Sequence, residues 1–127
     1  MRICPHCRKA LVALEYRDIE MDWCPACRGA WLDRGELGLL LHGDPAAEPA
    51  LVIQTGRAET RRCPRCEGFM RQAEIDRTGV VVDSCPHGHG IWFDAGEIRA
   101  VINAVSDEPG LADLSDFCEG LFGAAST

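Results

Sequence analysis

Two Cys-Pro-x-Cys knuckles open two similar stretches of this chain. Each is answered roughly twenty residues later by a second knuckle that runs into Gly-x-Trp-x-Asp. The first copy holds Cys4, Cys7, Cys24 and Cys27, followed by Gly29, Trp31 and Asp33. The second holds Cys63, Cys66 and Cys85, then two histidines where a fourth ligand is due, followed by Gly90, Trp92 and Asp94. Paired knuckles at this spacing are the pattern of a four-ligand metal site. Each repeat (residues 4–42 and 63–105) is about forty residues long. Units of that size bury too little surface to stand on a hydrophobic core alone and need a metal or a disulfide.

Structural metal is the expected cross-link. The cysteines come in pairs two apart with a proline between, which suits a metal knuckle better than a dispersed disulfide framework. Cys4 lies too near Met1 for a secretory signal peptide, and no apolar run approaches membrane-spanning length. The expectation is a reducing cytoplasm and no membrane.

The net charge of −7 is not spread evenly. Residues 1–43 carry six basic and six acidic side chains, and residues 57–105 carry seven of each. The excess comes from Asp44 and Glu48 and from Asp107, Glu108, Asp113, Asp116 and Glu119. A dedicated nucleic-acid binder shows a basic face with excess charge to neutralise phosphate. Two charge-balanced repeats do not supply one.

The repeats divide the chain into a first ribbon and helix (1–43), a linker (44–62), a second ribbon and helix (63–105) and an acidic tail (106–127). Between knuckles, Ile19, Met21 and Trp23 alternate with acids, the period-two pattern of a strand with one wet face. Residues 10–16 and 18–23 read as two strands and 30–32 as a third. In the second copy 69–75, 80–82 and 91–93 correspond, and its two extra loop residues fall at Asp76-Arg77-Thr78-Gly79, where a hairpin turn belongs. The fold class is thus a small metal-bound α+β protein: two tandem three-stranded antiparallel zinc ribbons, each followed by a helix. Asp33-x-x-Glu36 and Asp94-x-x-Glu97 have capping-box spacing, with the aspartate expected at the N-cap. Leu51-Val52-Ile53 could add an edge strand. Leu111, Leu114, Phe117, Cys118 and Leu121 share one face of an expected C-terminal amphipathic helix.

The first site is a complete Cys4 set: Cys4, Cys7, Cys24, Cys27. At the second, Gly88 stands where Cys27 aligns, so Cys63, Cys66 and Cys85 take His89 or, alternatively, His87 as fourth ligand. An imidazole reaches farther than a thiolate, and a backbone between Gly88 and Gly90 can re-aim it, which favours His89. Zinc, two ions in all, suits a set containing histidine better than iron does. Pro5, Pro25, Pro64 and Pro86 remove a backbone donor, leaving later N–H groups to turn toward the sulfurs. Gly29 and Gly90 are expected to serve tight turns. Cys118, His6 and His42 are not expected to be ligands. Trp31 and Trp92 invite a stacking reading, but three residues before a helix they are expected in the core, where helix packs on ribbon.

The string from Cys24 to Leu37, Cys-Pro-x-Cys-x-Gly-x-Trp-Leu-Asp-x-Gly-Glu-Leu, resembles the transcription factor IIB-type zinc-ribbon family of small bacterial proteins. The second copy is similar to a variant ending in His-Gly-x-Trp-Phe-Asp-x-Gly-Glu, here His89 to Glu97. The resemblance implies zinc binding, supports His89 as the ligand, and carries a kinship in name to ribbons that contact RNA polymerase.

Closed four-ligand sites, no activated nucleophile set and no phosphate loop argue against an enzyme or a small-molecule substrate. The leading expectation is a non-enzymatic zinc-binding adaptor with a protein partner. The alternatives are a transcription-associated factor touching polymerase or nucleic acid through Arg57, Arg61, Arg62 and Arg65, and a thiol-based redox or metal sensor.

Overall fold

The computed structural model describes residues 2–55 and 60–105. The helix expected in 106–127, Cys118 included, lies outside the described residues. In chain order the elements are β1 (Val12–Tyr16), β2 (Ile19–Trp23), β3 (Ala30–Asp33) and α1 (Glu36–His42). A 3-10 turn (Pro45–Ala47) leads to β4 (Leu51–Ile53). Then come β5 (Arg71–Ile75), β6 (Val80–Ser84), β7 (Gly90–Phe93) and α2 (Glu97–Val105). The first hairpin closes through Arg17 and Asp18, both at positive φ (50° and 65°), the geometry that matches strand twist in a two-residue turn. The second uses the longer turn at the inserted residues, where the Thr78 hydroxyl donates to the Ile75 carbonyl at 2.7 Å.

All seven strands join one antiparallel sheet in the order β1-β2-β3-β7-β6-β5-β4. The halves meet where β3 pairs with β7, with Trp31 opposite Trp92 and Leu32 opposite Ile91. Side chains alternate along a strand, so this register sorts the seam into two layers. Ala30, Leu32, Ile91 and Phe93 face α1 and α2 and share a core with Leu37, Leu40, Leu41, Ile98, Val101 and Ile102. Trp31 and Trp92 lie with Cys4, Cys24, Cys63, Cys85 and Met70 in a second buried cluster. The tryptophans are core residues, but on the sheet face away from the helices rather than at the helix junction.

Gly29 and Gly90 do more than turn the chain. A Cβ at Gly29 would fall on the Trp92 ring, and one at Gly90 on the Trp31 ring and the Leu32 carbonyl. Each glycine is the bed for the other half's tryptophan.

The aspartates do not cap the helices. Gly35, at φ 89°, holds the N-cap of α1 without a side-chain bond. The second half of the capping box is present: Glu36 accepts from the Asp33 N–H at 2.6 Å and Glu97 from the Asp94 N–H at 2.7 Å. Two N–H groups at the start of α1 go to Glu48, which accepts from Gly35 N–H (3.0 Å) and Leu37 N–H (3.3 Å). Gly43, in the left-handed conformation at φ 71°, ends the helix.

Two outcomes are expected. Gly90→Ala, which overpacks the seam, should destabilise the zinc-loaded protein by about 1–3 kcal/mol in denaturant unfolding. Burial, reinforced by nearby acids, pushes both Glu36 and Glu97 up to about 7. A folded carboxyl that holds its proton above the unfolded value lowers stability as pH rises from about 4.5 to about 7. Glutamine keeps the Oε1 acceptor and removes that penalty. Thermal melts of a Glu36→Gln, Glu97→Gln double variant should exceed those of the parent at pH 8, with the margin shrinking toward pH 6.

Candidate metal centres

Three knuckles share one backbone design. The N–H groups of Cys4, Cys24 and Cys63 donate to the carbonyls of Lys9, Gly29 and Gly68, five residues on, at 2.8–2.9 Å. Their carbonyls accept from Arg8, Arg28 and Glu67, four residues on, at 2.7–2.9 Å. Those three residues sit in the left-handed region (φ 66°, 64° and 62°), immediately after the second cysteine. The freed N–H groups turn inward as the prolines require: His6 and Cys7 donate to Cys4 Sγ at 3.4 and 3.2 Å, and Arg65 to Cys63 Sγ at 3.3 Å.

The fourth knuckle keeps the outer bridge and reverses the inner order. Cys85 N–H still donates five residues on, to Gly90, at 3.2 Å. The left-handed residue now comes one place earlier, Gly88 at φ 77°, whose N–H bonds Cys85 at 3.0 Å. The donor position therefore follows the turn, and His89 stands there in the cluster with Cys63, Cys66 and Cys85. The longer imidazole offsets the shift, and its Nδ1 stands 3.4 Å from Cys85 Sγ. His87 is exposed, its ring centroid 6.1 Å from that of His89.

The structure gathers Cys4, Cys7, Cys24 and Cys27 into one cluster and Cys63, Cys66, Cys85 and His89 into another. In each, the donor atoms all lie within 4.8 Å of one another. Left without a cation, such a set resists ionisation. Burial pushes Cys4 up to about 11 and Cys63 up to about 12, and raises Cys27 as well. At Cys24 and Cys85 burial is outweighed by N–H donors and neighbouring sulfurs, and both are lowered. A dication supplies the charge that lets every thiol deprotonate. Thiolate with imidazole in closed four-donor sets fits zinc, and the two clusters fit two ions.

Beside each cluster runs a network that sequence reading missed. Arg2 donates to Asp22 (2.6 Å) and Asp33 (2.9 Å), and Asp33 also accepts from Trp31 Nε1 (3.0 Å). Arg61 donates to Asp83 (3.1 Å) and Asp94 (2.7 Å), and Asp94 accepts from Trp92 Nε1 (3.1 Å). The signal was available: in both copies an arginine stands two residues before the first cysteine, and an aspartate two before the third. The networks also cross the seam. Arg65 lies 3.7 Å from Asp33, and Arg61 donates to His6 Nδ1 at 2.9 Å. The arginine cluster that the alternative, nucleic-acid reading draws on is therefore partly engaged. Arg61 is paired, Arg62 stacks 4.2 Å over the exposed Phe69 ring, and Arg57 lies outside the described residues. Between the two first knuckles opens a cleft of about 420 Å³, lined by Ile3, Pro5, Arg8, Arg62, Pro64 and Arg65 among others.

Elemental analysis should give two zinc ions per chain for the parent and for His87→Ala, and about one for His89→Ala. A strong chelator should abolish the cooperative melt, because zinc binding contributes roughly 10–16 kcal/mol to small domains of this kind.

No helix among the described residues is long and apolar enough to cross a membrane. No curated protein and no solved structure matches the chain. Its residues 3–42 and 62–104 each match the transcription factor zinc-finger family, the transcription factor IIB-type zinc ribbon. Those two segments cover more than half of the chain and end where the structure completes each helix, so this protein belongs to the transcription factor IIB-type zinc-ribbon family.

Proposed function

We propose that the chain is a non-enzymatic, zinc-stabilised module that binds another protein. One observation carries this reading: the cluster donors, both tryptophans and two of the arginines are engaged within the molecule. The eight cluster donors face one another, Trp31 and Trp92 are fully buried, and Arg2 and Arg61 are paired to carboxylates. Five large apolar side chains face outward: Ile3 and Phe69 at the knuckles, Val12 on β1, and Val52 and Ile53 on β4. Exposed apolar side chains beside Arg8, Arg62 and Arg65 suit an acidic, partly apolar peptide.

A transcription-associated role is the second reading. The family supports it, and so does the pairing of Arg62 with Phe69, an exposed aromatic with a cation over it, which is also how single strands are held.

Two measurements separate the readings. Fluorescence anisotropy with labelled single-stranded RNA and DNA should show no binding that weakens steeply with salt; a steep salt slope would move the assignment to the second reading. Affinity capture with the parent should retain a protein that an Ile3→Ser, Phe69→Ser variant loses, while both hold two zinc ions. Equal capture by parent and variant would remove the knuckle cleft as the docking surface.

A further inference from the structure

The two halves are related by a pseudo-twofold axis through the seam, since Trp31 faces Trp92, and Ala30 opposite Phe93 mirrors Leu32 opposite Ile91. The two metal clusters do not sit alike on that seam. Cys27 stands three residues before β3, whereas His89 immediately precedes β7. The shift at the fourth knuckle therefore brings a donor residue of the second cluster against the backbone of the first half. The Arg34 N–H donates to the His89 carbonyl at 3.0 Å, and Gly90, next along, pairs with Asp33.

The same short stretch reaches the other knuckle of that cluster. Asp33 lies 3.7 Å from Arg65, the residue between Pro64 and Cys66 whose own N–H donates to Cys63 Sγ at 3.3 Å. Arg65 has a side chain 45% exposed, so this ion pair contributes less than the backbone bond to His89. Asp33 and Arg34, at the end of β3, thus touch both knuckles of the second cluster.

What fixes that stretch belongs to the first cluster. Cys24 N–H donates to the Gly29 carbonyl at 2.9 Å and Trp23 pairs with Ala30, so the second knuckle delivers β3. Arg2, two residues before Cys4, donates to Asp33 at 2.9 Å. An ion in the first cluster ties these two knuckles to one point, and with them the place of Asp33 and Arg34. The first cluster draws more on its own half. It has four thiols, with Cys4 and Cys24 fully buried, and the N–H groups of His6 and Cys7 donate to Cys4 Sγ. Across the seam it receives an exposed side-chain bond, Arg61 to His6, and the Trp92 ring against Gly29, two residues beyond Cys27. The second cluster has three thiols and an imidazole, and its Cys66 is exposed. A neutral imidazole brings no negative charge to a dication, so this set holds its ion with one charge fewer.

We infer that the two zinc ions load in a hierarchy: the second cluster reaches full affinity only when the first is occupied, with Asp33 and Arg34 as the positioning residues between them. The coupling factor itself is the same in both directions. The asymmetry lies in what each cluster holds alone, so a chain short of zinc keeps the first ion and gives up the second.

Limited chelation of the full zinc-loaded chain, followed by alkylation and mass-spectrometric mapping of the freed cysteines, tests the order. Expected is a species labelled at Cys63, Cys66 and Cys85 while the first set stays protected. A species with the first set labelled and the second protected overturns the hierarchy, as does equal release from both. Competition titration tests the coupling. A Cys4→Ser, Cys24→Ser variant should bind zinc at its intact second set roughly tenfold or more weakly than the parent does. Unchanged affinity there overturns the coupling. Arg34→Pro removes the N–H that holds His89, whereas Arg34→Ala keeps it. The proline variant should release the second ion roughly tenfold faster than the alanine variant, with later release of the first ion alike in both. Equal release of the second ion by the two variants removes the Arg34 bond as the link. If the proline disturbs the start of α1, the order of release in the parent still decides.

Discussion

Four thiols, or three and an imidazole, crowded within 4.8 Å hold together only around a cation. Every further feature of this protein depends on that charge balance. The donors of each cluster come from a knuckle before a hairpin and a knuckle after it, so a bound ion ties together both ends of a sheet too small to hold itself. The inward N–H groups at Cys4 and Cys63 stabilise the thiolate form, and the left-handed residues Arg8, Arg28 and Glu67 curl the backbone around it. Strain of that kind persists only where the surroundings over-determine it, and here the ion does so.

Tying a hairpin does not by itself make a protein core, and the seam does. Gly-x-Trp-x-Asp reads as a motif within one repeat but works across two. The glycine receives the opposite indole, the tryptophan fills the opposite glycine, and the aspartate binds its own indole N–H and an arginine. The two rings share one buried cluster with Cys4 and Cys24 of one site and Cys63 and Cys85 of the other, so either metal site also braces the packing beside its neighbour. Folding of the halves is thereby coupled, although each has its own ion.

The two donor clusters, the hairpins and the helix stop at Gly43 were legible because each is local: a spacing, an alternation, a residue able to take positive φ. The seam was not, since period-two patterning says which face of a strand is buried and nothing about which edge pairs with which. Trp31 was assigned to the core correctly and to the wrong face for that reason. Asp33 and Asp94 were misread as caps because the pattern Asp-x-x-Glu takes no account of rival donors. An indole N–H two residues back and an arginine drawn from before the first cysteine outcompete a helix start already formed by Gly35. Glu48 went unseen as the acceptor for α1 because it lies thirteen residues from Gly35, beyond any capping window.

Comparing the halves position by position shows where symmetry is kept. Arg2 and Arg61, Asp22 and Asp83, Trp31 and Trp92, Asp33 and Asp94 match across the axis. These residues meet one another or their mates at the seam, so a change on one side leaves a hole or an unpaired charge on the other. At the cleft the match is lost: Ile3 answers Arg62, Arg8 answers Glu67, and beside it Ala10 answers Phe69. A symmetric cleft would accept a ligand in two opposed orientations. With an isoleucine and an arginine on one wall and two arginines with a glutamate on the other, the walls differ in charge and shape. An asymmetric occupant of the kind proposed would then have one favoured direction, because reversing it would set its acidic end against Glu67. Two fused copies can make that distinction between their walls, whereas two identical chains related by an exact twofold cannot.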